Sequence, residues 1–189
     1  MNILEKKFTK KYTTALGHER AFVRFTGLET LWFNTGTLCN ISCDGCYIES
    51  SPVNNKLLYL NVKDVEEYLK QIKTYNLPCD TIGITGGEPF MNKDIISILN
   101  LCTQSNYNIL VLTNAMQPML NKIKELKKFS NYKKLTLRVS LDHYSKEGHE
   151  NIRGKNTWNK ALIGIKWLVN NNFKINIASR IINKNEKLV

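Results

Sequence analysis

The sequence predicts an α/β fold in which parallel strands alternate with helices. Three observations support this class: short β-prone runs alternate with helical periodicities, long connections separate successive strands, and glycine or polar residues follow the strands. Connections of a dozen or more residues join parallel strands, and right-handed crossovers lead to either a doubly wound sheet or a barrel. The 189 residues suffice for one domain with its own core and are too few for two ordinary ones.

We expect an N-terminal extension over residues 1–29 and a core domain over residues 30–189. The extension begins as a polar, basic segment. Two β-prone runs, residues 21–25 and 29–34, meet near Thr26, which predicts a hairpin or an added edge strand. The second run leads into a cysteine-rich loop and is predicted to be the first core strand.

The remaining elements alternate regularly. Asn61 is a predicted N-cap, and Val65, Leu69 and Ile72 share one face of the helix that follows it. Later strands are predicted at residues 79–85, 108–113, 134–141 and 173–181, and later helices at 93–102, 117–129 and 157–170. Five strands are fewer than an eight-fold barrel of ~250 residues contains. We therefore expect a core domain that is truncated after its fifth strand.

Three cysteines, Cys39, Cys43 and Cys46, lie in one loop with the spacing C-x3-C-x2-C. Thiolates suit iron–sulfur clusters or zinc, and a cubane held by three cysteines keeps one iron without a protein ligand. A structural zinc site needs a fourth donor, and a disulfide would pair three thiols unevenly. The other candidate donors are not at zinc-ligand spacing: His18, Cys79 and Cys102. Spacing alone favours an open cluster site over zinc or unliganded thiols.

Glycine and polar residues follow the second and third predicted strands. Gly86 and Gly87, before Glu88, allow a ligand to approach the backbone, although a strand-to-helix turn also needs glycine. Asn114, before Ala115, can hydrogen-bond a ligand or cap its own turn. In an α/β barrel these positions converge where ligands bind, at the carboxyl ends of the strands.

The fourth predicted strand ends in Ser140-Leu141-Asp142, and Ile152-Arg153-Gly154 follows. The Arg153 guanidinium can grip a carboxylate as a fork, or it can be a solvated loop charge. Asp142 can order the loop by capping it. The three histidines fall in polar segments and are expected to be solvated: His18, His143 and His149. Cys79 and Cys102 are expected to be buried as small apolar residues.

Cys39, Cys43, Cys46 and the aromatic Tyr47 resemble the signature of the radical S-adenosylmethionine (SAM) superfamily. The resemblance covers about residues 30–182 and implies a partial TIM-like barrel of about five to six units. It also implies that the three cysteines bind a 4Fe-4S cluster, with Tyr47 belonging to the cofactor-binding loop. The amine and carboxylate of SAM would then chelate the free iron, and reductive cleavage would yield a 5'-deoxyadenosyl radical.

The later motifs extend the resemblance. Gly86-Gly87-Glu88 is similar to the family motif that binds the SAM amino group, and Asn114 stands in a motif whose usual glycine is replaced by Ala115. The fourth-strand motifs resemble those of enzymes that modify peptides or proteins or mature cofactors. In those enzymes Ser140 and Arg153 would help to hold SAM.

The resemblance implies an electron donor such as flavodoxin or ferredoxin and an unknown substrate, with a peptide or protein favoured. Two alternatives stay open: a non-catalytic iron–sulfur module, degenerate or split, and an RNA-modifying enzyme. The net charge of +11 permits a nucleic-acid partner by counterion release, but the basic residues are not interleaved with aromatics. No apolar stretch or N-terminal signal indicates a membrane or secretion, so a cytoplasmic protein is expected.

Overall fold

A five-stranded parallel sheet forms the centre of the structure, a computed structural model that describes residues 9–180. The strands lie in chain order, β1 to β5, and each pairs in parallel with the next. They are β1 (Thr30–Asn34), β2 (Thr81–Thr85), β3 (Asn108–Thr113), β4 (Leu135–Ser140) and β5 (Lys174–Ala178). The predicted α/β class with parallel strands is confirmed.

The helices cross from each strand to the next. They are α1 (Val62–Thr74), α2 (Ile95–Gln104), α3 (Gln117–Leu120), α4 (Ile123–Leu126), α5 (Lys146–Arg153) and α6 (Thr157–Asn170), with short 3-10 helices at Pro89–Met91 and Lys127–Phe129. Asn61 caps α1 in a reciprocal capping box with Asp64, as its sequence position predicts. Among the described residues, no helix has the length and apolar character needed to cross a membrane.

The two faces of the sheet differ in burial. On β4 the side chains of Leu135, Leu137 and Val139 are buried beneath the helices, whereas the alternate residues are half-buried. β3 shows the same alternation, so the sheet has a packed outer face and a partly open inner face. Cys102 on α2 is fully buried in the outer layer, as predicted, whereas the prediction of burial is wrong for Cys79, which is half-buried because it lies before β2 at the margin of the core.

Three parts of the sequence prediction are wrong or lie outside the description. Residues 21–25 form no strand, and Phe22 and Val23 are 85% and 90% exposed, so pairing there would gain too little apolar burial. The helix predicted at 117–129 is broken into short turns, which let Met119, Leu126 and Phe129 all reach the core. The described residues exclude two segments of the prediction: residues 1–8 of the N-terminal extension and residues 181–189 of the core domain.

Candidate active site

The three predicted ligand cysteines line one cavity at the carboxyl ends of the strands. The cavity has a volume of about 370 Å3, which is within the usual range for small-molecule sites. Cys39 is buried and is fixed by a backbone hydrogen bond from its N–H to the Ser51 carbonyl at 3.1 Å. The turn between Cys43 and Cys46 closes through a 3.3 Å backbone bond between these two residues.

Burial opposes ionisation of the cysteine thiols, which bind metals as thiolates. Burial raises the pKa of Cys39 to about 11, and it also raises the pKa of Cys43, against the lowering effect of Arg153. The N–H of Ser50 points at the sulfur of Cys46 at 3.3 Å, a contact that favours a sulfur carrying negative charge. The positive charge of bound iron would stabilise the thiolates. This donor set therefore suits a cluster whose binding releases the thiol protons.

A single-ion zinc site is not what the described residues present. Between residues 9 and 180, no group of three or more His, Cys, Asp or Glu side chains is gathered closely enough to hold one metal ion. Thiolates of a cubane each bind a different iron, so they stand further apart than ligands of a single ion. Three cysteines line the cavity, and the Asp142 carboxylate there is paired with Arg153 and Arg180, so this donor set fits a cluster better than a closed zinc tetrahedron.

The glycine turn after β2 packs directly on the cysteine loop. The N–H of Gly87 donates to the Gly36 carbonyl at 2.8 Å, and a Cβ on Gly87 would lie 2.1 Å from the Leu38 oxygen. Gly86 has a φ of +141°, which side chains rarely adopt. Both glycines also line the cavity. The turn needs glycine for its contact with the cysteine loop, and it leaves backbone exposed to a ligand.

Glu88 has a different position from the glycines beside it. Its side chain is 1% exposed and does not line the cavity. One carboxylate oxygen accepts from the Thr113 hydroxyl at 2.8 Å and the Phe90 N–H at 3.1 Å, and the other accepts from the Asn114 N–H at 2.8 Å. Burial raises the pKa of Glu88, while these hydrogen bonds oppose the rise. Glu88 therefore supports the turn after β3.

Asn114 caps its own turn, which is one of the two roles considered for it, and it lies at the cavity where the other role would be possible. Its side-chain oxygen accepts from the Met116 N–H at 3.0 Å, which caps the turn, and the residue also lines the cavity. Its amide nitrogen donates to the Asn40 side chain at 2.9 Å and lies 3.9 Å from the Cys39 sulfur. The neighbouring Ala115 has a φ of 56°, so the usual glycine is replaced at a position where glycine would be favoured.

The charged wall of the cavity is formed by the end of β4 and the segment that follows it, up to the end of α5. Ser140, Asp142 and Arg153 all line it. Asp142 forms an ion pair with Arg153 Nε at 2.7 Å, and the Arg153 side chain is 13% exposed, so Arg153 is not a solvated loop charge. Burial would raise the pKa of Asp142, but hydrogen bonds and charge from Arg180 and Arg153 hold it below its ordinary value. Asp142 orders the site through this pair.

Sequence reasoning missed two residues beside the cysteines. Arg180 lines the cavity and forms an ion pair with Asp142 at 2.9 Å, and Asn40 bridges Cys39 and Asn114. Arg180 follows β5 by two residues, but the predicted strand extends to residue 181 and so includes Arg180, which hid it from the rule that ligand sites follow strands. The partner of Asn40 is 74 residues away and leaves no local signal.

The outer rim and the histidines complete the site. Tyr47 lines the cavity yet is 98% exposed, so it marks the open side of the cysteine loop. The prediction of solvated histidines holds for the exposed His18 and is wrong for His149, which is fully buried on α5 against Trp158. His143 is half-buried and stacks on Tyr144.

The sheet and the cavity define a barrel-type α/β protein with a cysteine-lined cofactor site at the carboxyl ends of its strands. Residues 33–183 match the Radical SAM superfamily, and the chain belongs to that family. Members of this superfamily use a 4Fe-4S cluster and SAM.

Two curated relatives show how far the similarity extends. The subtilosin biosynthesis protein AlbA of Bacillus subtilis is 29% identical over 152 residues, which are 78% of this chain and 32% of AlbA. A probable GTP 3',8-cyclase of Saccharolobus islandicus is 26% identical over 140 residues, which are 74% of this chain and 43% of the cyclase. The chain therefore spans less than half the length of either relative.

Solved structures confirm the fold. Streptococcus suis SuiB bound to SAM has a TM-score of 0.58 at 16% identity, covering 85% of this chain and 42% of SuiB. Methylornithine synthase (PylB) has a TM-score of 0.58 at 15% identity, covering 80% of this chain and 44% of PylB. The predicted partial TIM-like barrel is thus confirmed as the architecture that the chain shares with radical SAM enzymes.

Proposed function

We propose that this chain is the catalytic core of a radical SAM enzyme, with a 4Fe-4S cluster on Cys39, Cys43 and Cys46. The observation that carries the proposal is that one cavity is lined by these three thiols, the Gly86-Gly87 turn and Arg153. When bound, the cluster and SAM supply a radical that removes a hydrogen atom from the substrate. The chain's own residues bind, orient and shield these groups.

The cysteine loop would hold the cluster and influence its redox behaviour. The Ser50 N–H on the Cys46 sulfur at 3.3 Å is the kind of hydrogen bond that stabilises a reduced, more negative cluster. Cys39 is 5% exposed, so its sulfur is shielded from water, whereas Tyr47 stands at the open rim. Burial on one side and access on the other suit a cofactor that must receive an electron from outside.

SAM would lie between the glycine turn and the charged wall. The cavity-lining backbone of Gly86 and Gly87 would bind its amino group, and Glu88 would act indirectly, because its carboxylate is already bonded to Thr113 and Asn114. Arg153 donates Nε to Asp142, and no hydrogen bond within the described residues uses its terminal nitrogens. These nitrogens can therefore grip the SAM carboxylate as a fork.

Two further polar residues of the wall would complete SAM binding. Ser140 lies at the carboxyl end of β4, where its hydroxyl can share the carboxylate with Arg153. Asn114 lines the cavity from the end of β3, with its amide nitrogen between Asn40 and the Cys39 sulfur. It would join the ligand site to the cluster loop.

A peptide or protein is the substrate class that we propose. AlbA, at 29% identity, is a bacteriocin biosynthesis protein, and a SuiB structure with the same barrel holds its precursor peptide SuiA. The Ser140-Leu141-Asp142 and Ile152-Arg153-Gly154 motifs point the same way. The cyclase relatives act on a nucleotide by name, so the substrate of this chain must be measured rather than transferred.

A small reducing protein such as flavodoxin or ferredoxin would donate the electron. The loop that carries Cys43 and Cys46 is at the surface, with Gly45 and Tyr47 exposed, so a partner can approach the cluster side directly. All five cysteines are free thiols in the structure, which suits a reducing compartment such as the cytoplasm.

Production of 5'-deoxyadenosine tests the proposal. The protein would be reconstituted anaerobically with iron and sulfide, reduced with dithionite and incubated with SAM, and the product would be measured by chromatography. Wild type and Cys79→Ala should release 5'-deoxyadenosine, whereas Cys43→Ala should not. A wild-type protein with a full cluster that releases none would contradict the proposal and favour a non-catalytic iron–sulfur module.

A further inference from the structure

Arg180 stands outside the motifs discussed above, yet its side chain joins two parts of the site. Its Nη1 donates to the Asp44 carbonyl in the cysteine loop at 3.1 Å, and its Nη2 donates to the Asp142 carboxylate at 2.9 Å. We propose that Arg180 is a positioning residue that clamps the cysteine loop to Asp142 and thereby fixes Arg153. This inference rests on the proposed SAM site.

The contacts form a closed ring beside the cavity, which Asp142, Arg153 and Arg180 line. The same Asp142 oxygen that accepts from Arg180 also accepts from Arg153 Nε at 2.7 Å. Arg153 is the last residue of α5, and the preceding carbonyl, that of Ile152, accepts from the Asp44 N–H at 2.7 Å. The cysteine loop is thus held at Asp44 from two sides, through its N–H by α5 and through its carbonyl by Arg180.

The clamp acts on the turn at Gly45 in the cysteine loop. Gly45 has a φ of +60°, and a Cβ placed on it would lie 3.5 Å from the Arg180 guanidinium. Arg180 therefore packs over the turn between Cys43 and Cys46. Movement of this turn would change the separation of two cluster thiols and the distance from the cluster to Arg153.

An arginine suits this position for a geometric reason. A guanidinium presents several donors in one plane, so it reaches a carbonyl and a carboxylate at once, whereas a lysine ammonium is a single charged point. The Asp142 side chain is 4% exposed and that of Arg180 is 41% exposed, so solvent weakens the purely ionic part of the pair. Orientation, rather than charge alone, is the main effect that we assign to Arg180.

The fold itself does not depend on this side chain. The backbone N–H of Arg180 donates to the Asp142 carbonyl at 3.2 Å, and Leu141 pairs with Ala178 through its own N–H. These bonds hold the ends of β4 and β5 together in any variant of Arg180. Arg180→Ala should therefore unfold at nearly the wild-type temperature, although the cysteine loop and Arg153 would no longer be held in position.

SAM affinity of the reconstituted protein measures the clamp. Wild type, Arg180→Ala, Arg180→Lys and the exposed control Arg24→Ala would be compared by calorimetry for SAM binding and by iron content. Electron paramagnetic resonance would record the change that SAM causes in the reduced cluster. Arg180→Ala should bind SAM about tenfold more weakly, the loss expected for a hydrogen bond to a charged group, and should show an altered SAM-dependent spectrum. Arg180→Lys should recover only part of the affinity.

The outcomes separate this inference from the proposed function. If wild type releases 5'-deoxyadenosine and Arg180→Ala binds SAM as tightly as Arg24→Ala does, the clamp is disproved while the enzyme stands. If Arg180→Ala does not fold, the SAM affinity of Arg180→Lys tests the inference instead. A wild-type SAM affinity in Arg180→Lys would then overturn it. If the wild type with a full cluster neither binds SAM nor releases product, the proposed function itself fails.

Discussion

A buried carboxylate joins the second and third strands of the sheet beneath the cavity. Glu88 accepts hydrogen bonds from Phe90, Thr113 and Asn114 and so uses both of its oxygens. An amide at this position would keep one acceptor and place a second donor against the Asn114 N–H. A buried donor without an acceptor is costly, and the turn that carries Asn114 would shift.

We therefore expect Glu88→Gln to lower the free energy of unfolding by about 1–3 kcal/mol. Urea unfolding followed by circular dichroism measures this loss. The matched control is Glu66→Gln, since Glu66 is exposed on α1 and should change stability little. Equal stability of the two variants would show that the Glu88 hydrogen bonds do not support the turn.

His149 is a buried titratable group in the helix that carries Arg153. Among the described residues, neither of its ring nitrogens has a hydrogen-bond partner, and its ring packs edge-on against Trp158 with centroids 5.5 Å apart. Burial lowers the pKa of His149, and the neighbouring Arg153 charge lowers it further. Folding therefore favours the neutral form of the imidazole.

This lowered pKa predicts a loss of stability in mild acid. Between about pH 7 and pH 5 the unfolded chain binds a proton at His149 that the folded chain resists, so the free energy of unfolding should fall as the pH falls. Thermal unfolding across this range should show a weaker pH dependence in His149→Phe, which keeps an aromatic ring on Trp158. His18→Gln, an exposed control, should follow the wild type. A His149→Phe variant with the wild-type slope would contradict the assignment.

At the level of residues, the sequence predicts the cavity wall at the carboxyl ends of the strands and in the loops that follow them. Gly86 and Asn114 directly follow β2 and β3, Ser140 ends β4, and Cys39 lies in the loop after β1, because parallel strands all end at the same edge of the sheet. The burial of His149 was not predictable in the same way. It depends on Trp158, which only the packing of α5 beside α6 brings near.

Among the elements, α6 packs closely on the turn after β3. Gly164 on α6 lies against Ala115, and a Cβ there would be 1.7 Å from the Ala115 oxygen. Ala115 itself is fully buried and holds a φ of 56°, so the turn after β3 has little freedom to move. The helix and the turn are packed backbone to backbone at this point.

Gly164→Ala should therefore be strongly destabilising, by about 3 kcal/mol, because either α6 or the turn after β3 must move. The comparison is Gly27→Ala, where a Cβ would meet nothing within 4 Å. Urea unfolding of both variants gives the difference directly. Should Gly164→Ala match Gly27→Ala in stability, the close packing of α6 on Ala115 would be wrong.

Elements were predictable where an apolar period marks them. α6 occupies the predicted residues, Thr157–Asn170, and α1 begins after its predicted cap. α5 was missed because its single buried residue is His149, which leaves no apolar stripe for the sequence to show. The helix expected at 117–129 has an apolar pattern, but the core is reached through separate short turns.

At the scale of the whole molecule, the chemistry is concentrated at one end of the sheet. The carboxyl ends of all five strands border or lead into the cavity that holds Cys39, Cys43 and Cys46. Cys79 lies at the opposite end, just before β2, and Cys102 is buried on α2 in the outer layer. The five thiols thus form two groups by their position in the fold: three line the cavity, and the other two lie away from it.

This polarity predicts which cysteines bind the cluster. Replacing Cys39, Cys43 or Cys46 with Ala should abolish the brown absorbance and the bound iron of the reconstituted protein. Cys102 is fully buried on α2 and Cys79 lies at the opposite end of the sheet, so Cys102→Ala and Cys79→Ala should load the cluster normally. Iron analysis and visible absorbance of all five variants make the test. Full loading of a variant that lacks Cys43, or loss of loading without Cys79, would place the cluster elsewhere and remove the basis for the proposed enzyme.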